Sequence, residues 1–151
     1  MIEGVATKPL RVFPDERGRL MEILRDDDEL FDRFGQVYMT TVYPGVVKAW
    51  HCHKDQSDRV AVVHGMIKLV LCDWRPDSAT YRQIQEFFIG EHNPLLVRIP
   101  PMVMHGWKCI AEKETVVVNI PNRHYEYKSP DEIRLPWDSP EVGYDWSIKF
   151  F

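Results

Sequence analysis

Cysteine is scarce in the 151-residue chain, and the three present, Cys52, Cys72 and Cys109, form no CxxC pair. They cannot all pair within the chain, so reduced thiols are expected rather than a disulfide framework. No apolar run approaches the roughly 18 residues a membrane helix needs, which argues against a membrane protein. Basic residues are not in excess: 19 Lys and Arg against 23 Asp and Glu give a net charge of −4. A general nucleic-acid binder would show a basic stripe, so that class is set aside. A small anionic ligand is not, because a few arginines in one cleft can outweigh a mildly acidic exterior. The N-terminal "MIEGVATKPLRVFPDERG" lacks the basic stretch and apolar core of a secretory signal, and a cytoplasmic setting is expected. There is no internal repeat, low-complexity segment or shift in composition, so residues 1–151 read as one domain.

What the chain does have is a succession of short β-prone runs: "QVYMTTVY", "VVKAWHCH", "RVAVVH", "MIKLVLCDW", "RQIQEFFIG", "LLVRIP", "GWKCIA" and "TVVVNIP". Turn signals such as "YPG", "HG", "RPDSAT" and "GEHNP" separate them, which is the pattern of an all-β sandwich or barrel. One helix is expected over "DDDELFDRFG", with acidic residues in its first turn and Gly35 as its stop, and one further helical turn over "SPDEIRL". The Pro- and Trp-rich tail "RLPWDSPEVGYDWSIKFF" is too rigid and aromatic for disorder and should wrap against the sheets.

The stretch "KAWHCHKDQSDRVAVVHG" places His51 and His53 two residues apart. On a strand these would point to one face and Cys52 to the other. The order Gly45, His51, His53, Asp58, Gly65 has the spacing of the first cupin motif, and Pro100 and His105 that of the second, with Met102 where the pattern has glycine. That likeness implies a jelly roll able to bind metal through His51, His53, Asp58 and His105.

Other stretches are similar to a narrower branch. "VFPDERGRLMEI", "VVKAWHCH", "IPPMVMHGW" and "LPWDSPEVGYDW" follow in order the motifs of the dTDP-4-dehydrorhamnose 3,5-epimerase family, from about Val12 to Trp146. The resemblance implies a cupin-type jelly roll that works without a cofactor, takes a nucleotide sugar and pairs as a homodimer through its N-terminal strands. It implies His51 as general base oriented by Asp145, Arg17 and Lys48 on the diphosphate, Glu22 and Gln36 at the nucleotide end, and His105 and Tyr125 in the sugar pocket. A histidine suits the task, because a 4-keto group acidifies the hydrogens on C3 and C5 enough for a base of near-neutral pKa.

The chain departs from that family twice. Asn119 stands where the acid tyrosine is expected, and Asp58 where a lysine would stabilise the enolate. Tyr125, Tyr38 and His53 are candidate replacements for the acid, and Arg59, Lys68 or a bound metal for the cation. His53 is open to three readings: metal ligand, substrate contact or no role. Two other classes stay open, a metal-dependent cupin enzyme using the three histidines and Asp58, and a non-catalytic nucleotide-sugar binding module.

Overall fold

Short runs with apolar residues on alternate positions form two facing sheets in the computed structural model, which describes residues 1–150. In chain order the strands are β1 (Ala6–Pro9), β2 (Val12–Asp15), β3 (Gly18–Met21), β4 (Tyr38–Val42), β5 (Val47–Cys52) and β6 (Asp58–His64). They continue as β7 (Met66–Asp73), β8 (Ile84–Gly90), β9 (Leu95–Ile99), β10 (Val103–Cys109), β11 (Thr115–Asn119) and β12 (Ile133–Arg134). One sheet has the order β1-β9-β6-β11-β4, the other β12-β5-β10-β7-β8, and β2 and β3 form a separate hairpin. The pairings are antiparallel, and the architecture is the all-β, cupin-type jelly roll expected from the sequence.

Three apolar layers explain why some strands alternate and others are apolar throughout. Between the sheets, Val60 and Val62 of β6, Val97 and Ile99 of β9 and Val117 of β11 meet Ile67, Leu69 and Leu71 of β7 and Val103 and Trp107 of β10. The opposite face of β5, β7 and β10 carries Trp50, Cys52, Val70, Cys72 and Met104, which the C-terminal tail covers with Trp146. A strand buried on both faces is apolar on both, as Leu69 to Cys72 of β7 are, with Lys68 and Asp73 the polar residues beside them. The Trp50 and Trp146 rings lie 4.9 Å apart, and both indole N–H groups donate to the Trp137 carbonyl, at 3.2 and 3.1 Å. The third layer, outside β6 and β9, is made by Leu10, Leu30, Ala61 and Leu96. At the β6–β7 turn Gly65 has φ +79°, and a Cβ there would lie 2.2 Å from the Thr115 hydroxyl, so the motif glycine is both a turn and a close approach.

Neither expected helix forms; among the described residues there is none, and so none long and apolar enough to cross a membrane. In "DDDELFDRFG" the side chains bind backbone and neighbours instead of leaving the helical ladder free. Asp28 accepts the N–H of Arg25 at 2.8 Å and pairs with Lys8, the Leu30 carbonyl is taken by Arg59 Nε, and Asp32 pairs with Arg59 at 2.6 Å. "SPDEIRL" is extended: Ile133 and Arg134 pair with Cys52 and His51, while the Asp131 carboxylate accepts the N–H groups of Lys54, Asp55 and Gln56 at 2.8, 3.0 and 3.1 Å.

Candidate active site

β10 places His105 directly opposite His51 of β5, and the register shifts between His105 and Trp107. Gly106 makes this approach possible, because a Cβ there would lie 2.3 Å from the Ala49 Cβ. The His51 and His105 ring centroids are 4.1 Å apart and those of His51 and His53 are 5.7 Å apart. Cys52 turns to the tail-covered face, as alternation requires.

The facing sheet supplies a carboxylate to these rings. Asp58, 1% exposed at the start of β6, sets Oδ2 3.4 Å from Nε2 of His53 and 3.4 Å from Nε2 of His105. Its Oδ1 accepts hydrogen bonds from Gln56 at 2.9 Å and Asn119 at 2.8 Å. Ligand-type atoms of His51, His53 and Asp58 all lie within 4.8 Å of one another. Burial alone would raise the Asp58 carboxyl, but His105, His53 and the Asn119 amide outweigh it and hold the group well below the usual carboxylate range. Burial and then the neighbouring His105 push His51 well below its ordinary value against the pull of Asp58, so His51 is neutral near pH 7. His53 and His105 each bond through Nδ1 to a backbone carbonyl, those of Asp131 and Val103, which aims both Nε2 atoms at Asp58.

Asn119 sits opposite Tyr38 in the β11–β4 ladder. Its amide group donates to the Tyr38 hydroxyl at 2.9 Å and to Asp58, while its oxygen accepts the Arg59 N–H at 3.0 Å, so every polar atom of the amide is engaged. Burial, helped by the Asp58 charge, raises the Tyr38 phenol, which therefore stays protonated. Next to the cluster a cleft is lined by Arg33, His53, Gln56, Arg123 and Tyr125, and Gln36 accepts the Tyr125 N–H at 3.2 Å. Lys48 donates to the Thr40 hydroxyl at 3.0 Å and the Thr41 carbonyl at 2.6 Å.

The structure thus gathers His51, His53, Asp58, His105 and Asn119, with Tyr125 and Gln36 at the adjoining cleft. Asp145 is a correction. It accepts the N–H and hydroxyl of Ser147 at 2.8 and 2.7 Å on the tail, beside Val47, Lys108 and Trp146, whereas His51 faces the other sheet. The expected His51–Asp145 dyad therefore does not form, and the carboxylate near His51 is Asp58. Arg17 and Glu22 are not at the cluster either: Arg17 lies in the turn of the β2–β3 hairpin and pairs with Asp15, and Glu22 directly follows β3 and pairs with Arg25. Three residues passed over in the sequence belong to the site. Gln56 and Asp131 orient Asp58 and His53, and Arg134 pairs across from His51. Reading "SPDEIRL" as helical hid the last two.

Residues 1–150 match the family model for dTDP-4-dehydrorhamnose 3,5-epimerase. The chain is 38% identical over 150 residues to the spore coat polysaccharide biosynthesis protein SpsL of Bacillus subtilis, covering 99% of each. It is also 38% identical over 150 residues to the probable low-salt glycan biosynthesis epimerase Agl13 of Haloferax volcanii, covering 98% of this chain and 96% of that one. A solved dTDP sugar isomerase from Desulfovibrio desulfuricans superposes with a TM-score of 0.92 at 32% identity, covering 96% of this chain and 92% of the other.

Proposed function

The chain belongs to the dTDP-4-dehydrorhamnose 3,5-epimerase family and is a sugar epimerase; on that footing we propose that it inverts C3, C5 or both of a dTDP-linked 4-keto-6-deoxy sugar, with His51 removing the proton. The observation that carries this reading is the geometry of the cluster, with His51 packed on His105 at 4.1 Å between ring centroids and its ligand-type atom within 4.8 Å of the buried Asp58 carboxylate. A neutral imidazole offers the lone pair, and the carboxylate stabilises the imidazolium as it forms, the role the sequence had given to Asp145. Tyr38 returns a proton to the opposite face of the enolate, its hydroxyl held by Asn119. Arg134, opposite His51 in register, supplies the cation that a lysine at position 58 would have given. Lys48 and the cleft of Arg33, Arg123, Gln36 and Tyr125 receive the diphosphate and nucleotide.

Arg17 and Glu22 enter this reading through a second copy. Val12, Phe13 and Leu20 of their hairpin are exposed, and a homodimer in which the hairpin reaches its neighbour covers them and delivers Arg17 and Glu22 to the neighbour's nucleotide. A cytoplasmic setting agrees with Cys52, Cys72 and Cys109, which are all free and buried.

The test is solvent-deuterium incorporation into the 4-keto sugar nucleotide, followed by NMR. His51→Ala should abolish incorporation next to the keto group while the protein remains folded. Asp145→Asn should leave it at the wild-type rate. Wild-type incorporation in His51→Ala removes His51 as the base.

A further inference from the structure

We propose that the Trp107 indole N–H is a catalytic hydrogen-bond donor, placed to hold the enolate oxygen that forms when His51 removes a proton from the sugar. The inference rests on the reading of His51 as the base. Its first support is the state of the N–H itself. Of the buried tryptophans, Trp50 and Trp146 donate their indole N–H groups to the Trp137 carbonyl at 3.2 and 3.1 Å. Trp107 is 4% exposed, and its Nε1 is buried without a hydrogen-bond partner. A buried indole ordinarily finds an acceptor within the protein, so an unpaired one calls for an acceptor from outside it.

Placement is the second support. Trp107 lies two residues beyond His105 on β10 and packs between the sheets. It pairs with Lys48 of β5 where His105 pairs with His51, so two steps along β10 are matched by three along β5. The extra residue of β5 is taken up on the tail-covered side, where Ala49 and Trp50 both pack, and this returns His51 to the inner face beside Trp107. The His51 and Trp107 ring centroids are 6.1 Å apart with their planes at 83°. The two rings stand side by side on one wall, and a sugar lying against that wall spans both. The carbon that loses its proton and the keto oxygen are two bonds apart, so a base and a donor serving them need to lie within about 8 Å of each other.

The third support is the chemistry the site otherwise lacks. Asp58 stands where a lysine was expected to stabilise the enolate. Arg134, its side chain 74% exposed and paired with Glu132 at 2.8 Å, gives charge at the rim and no buried donor. When His51 takes the proton, the C–H electron pair forms a carbon–carbon double bond and the carbonyl pair moves onto oxygen. That oxygen becomes an anion and a far stronger acceptor than the ketone it came from. An N–H already in place and shielded from water binds it more tightly as the charge develops, with no solvent to displace. The indole is a donor only and transfers no proton; the electron pair returns to carbon when carbon is reprotonated.

The experiment replaces Trp107 by phenylalanine, which keeps a ring and removes the N–H, and follows solvent-deuterium incorporation into the 4-keto sugar nucleotide by NMR. The maximal rate should fall by roughly 10²- to 10³-fold, with KM and the affinity for dTDP alone nearly unchanged. Circular dichroism should show a folded protein, since the fold loses no hydrogen bond. A wild-type maximal rate in folded Trp107→Phe, or a raised KM at unchanged kcat, overturns the proposal. A second measurement uses the wild-type chain labelled with ¹⁵N at its five tryptophans. The Trp107 indole N–H resonance should move downfield when the 4-keto sugar nucleotide binds and stay in place with dTDP alone. An unmoved resonance overturns the proposal even where the variant fails to fold. His51→Ala separates this donor from the base it serves. Incorporation lost in His51→Ala but kept at the wild-type rate in Trp107→Phe leaves the base and removes the donor. Wild-type incorporation in His51→Ala removes the base, and the proposal with it.

Discussion

Asn119 shows how one side chain can redistribute chemistry between neighbouring strands. A tyrosine at this position would place a phenol in the pocket from β11; the amide instead fixes the phenol of its cross-strand partner on β4, Tyr38. Because Tyr38 remains protonated, it can donate where Asn119 cannot. Tyr38→Phe should therefore lower net inversion by roughly 10²- to 10⁴-fold, while leaving deuterium exchange next to the keto group intact, since abstraction by His51 needs no acid on the far face. Proton NMR of the product formed in deuterated water reads both quantities, and unchanged inversion would assign the acid elsewhere, with Tyr125 next to be tested. At this scale the histidines were legible because strand alternation alone puts His51 and His53 on one face. Asp145 was misassigned because its place in "GYDW" carries no information about which side of a sheet the tail covers. Gln56 and Asp131 act through bonds across sequence gaps of 2 and 75 or more residues, and only the longer ones are invisible in a linear reading.

Among elements, the failed helix and the free hairpin have a common cause: local signals were overruled by what the segment has to cover or reach. "DDDELFDRFG" has helical end signals, but Leu30 is needed over β6 and β9, and Arg59, 1% exposed, claims the Leu30 carbonyl and Asp32. The stretch "VFPDERGRLMEI" was legible only as a motif; it forms the β2–β3 hairpin, which stands apart from both sheets with every residue of β2 exposed. A two-stranded ribbon is marginal alone. Arg19 ties it to the body through Glu91 at 2.7 Å, and Glu91 also accepts the Gly65 N–H at 2.8 Å. That backbone bond and Arg19 push Glu91 down to about 2, so the tether is ionised at neutral pH. The apolar face of the hairpin still needs a cover. Leu20→Asp, at a residue 59% exposed, should leave the melting temperature close to wild type but convert a dimer into a monomer in sedimentation. It should also weaken binding of dTDP alone, because Arg17 and Glu22 would be lost from the neighbour's site. A wild type that sediments as a monomer sinks the pairing. A monomeric variant with unchanged dTDP affinity removes Arg17 and Glu22 from the nucleotide end.

For the molecule as a whole, eight of the twelve strands and the tail that covers the sheets followed from composition and alternation, whereas β1, β2, β3, β12 and the devices that hold loops to the sheets did not. Asp73, at the end of β7 and fully buried, is the clearest case. Its carboxylate accepts the Arg75 Nε and Nη2, each at 2.8 Å, and the hydroxyls of Ser78 and Thr80, each at 2.6 Å, which folds the "RPDSAT" turn onto the strand. Burial by itself would raise this carboxyl; the bonds from Arg75, Ser78 and Thr80 reverse that and hold it well below the ordinary range. The sign of the linkage follows. A carboxyl depressed in the folded state stabilises the protein fully above the unfolded value of about 3.9, and that stabilisation is lost as pH falls toward the folded value. Asp73→Asn should therefore cost about 1.5–3 kcal/mol at pH 7 in urea unfolding, and the gap between variant and wild type should be unchanged at pH 5.5. Below about pH 4 the gap should narrow steadily, because the wild type then loses the same charge. A gap that stays constant from pH 7 to the acid transition would mean that Asp73 contributes shape rather than charge, and that the turn is held by its hydroxyls alone.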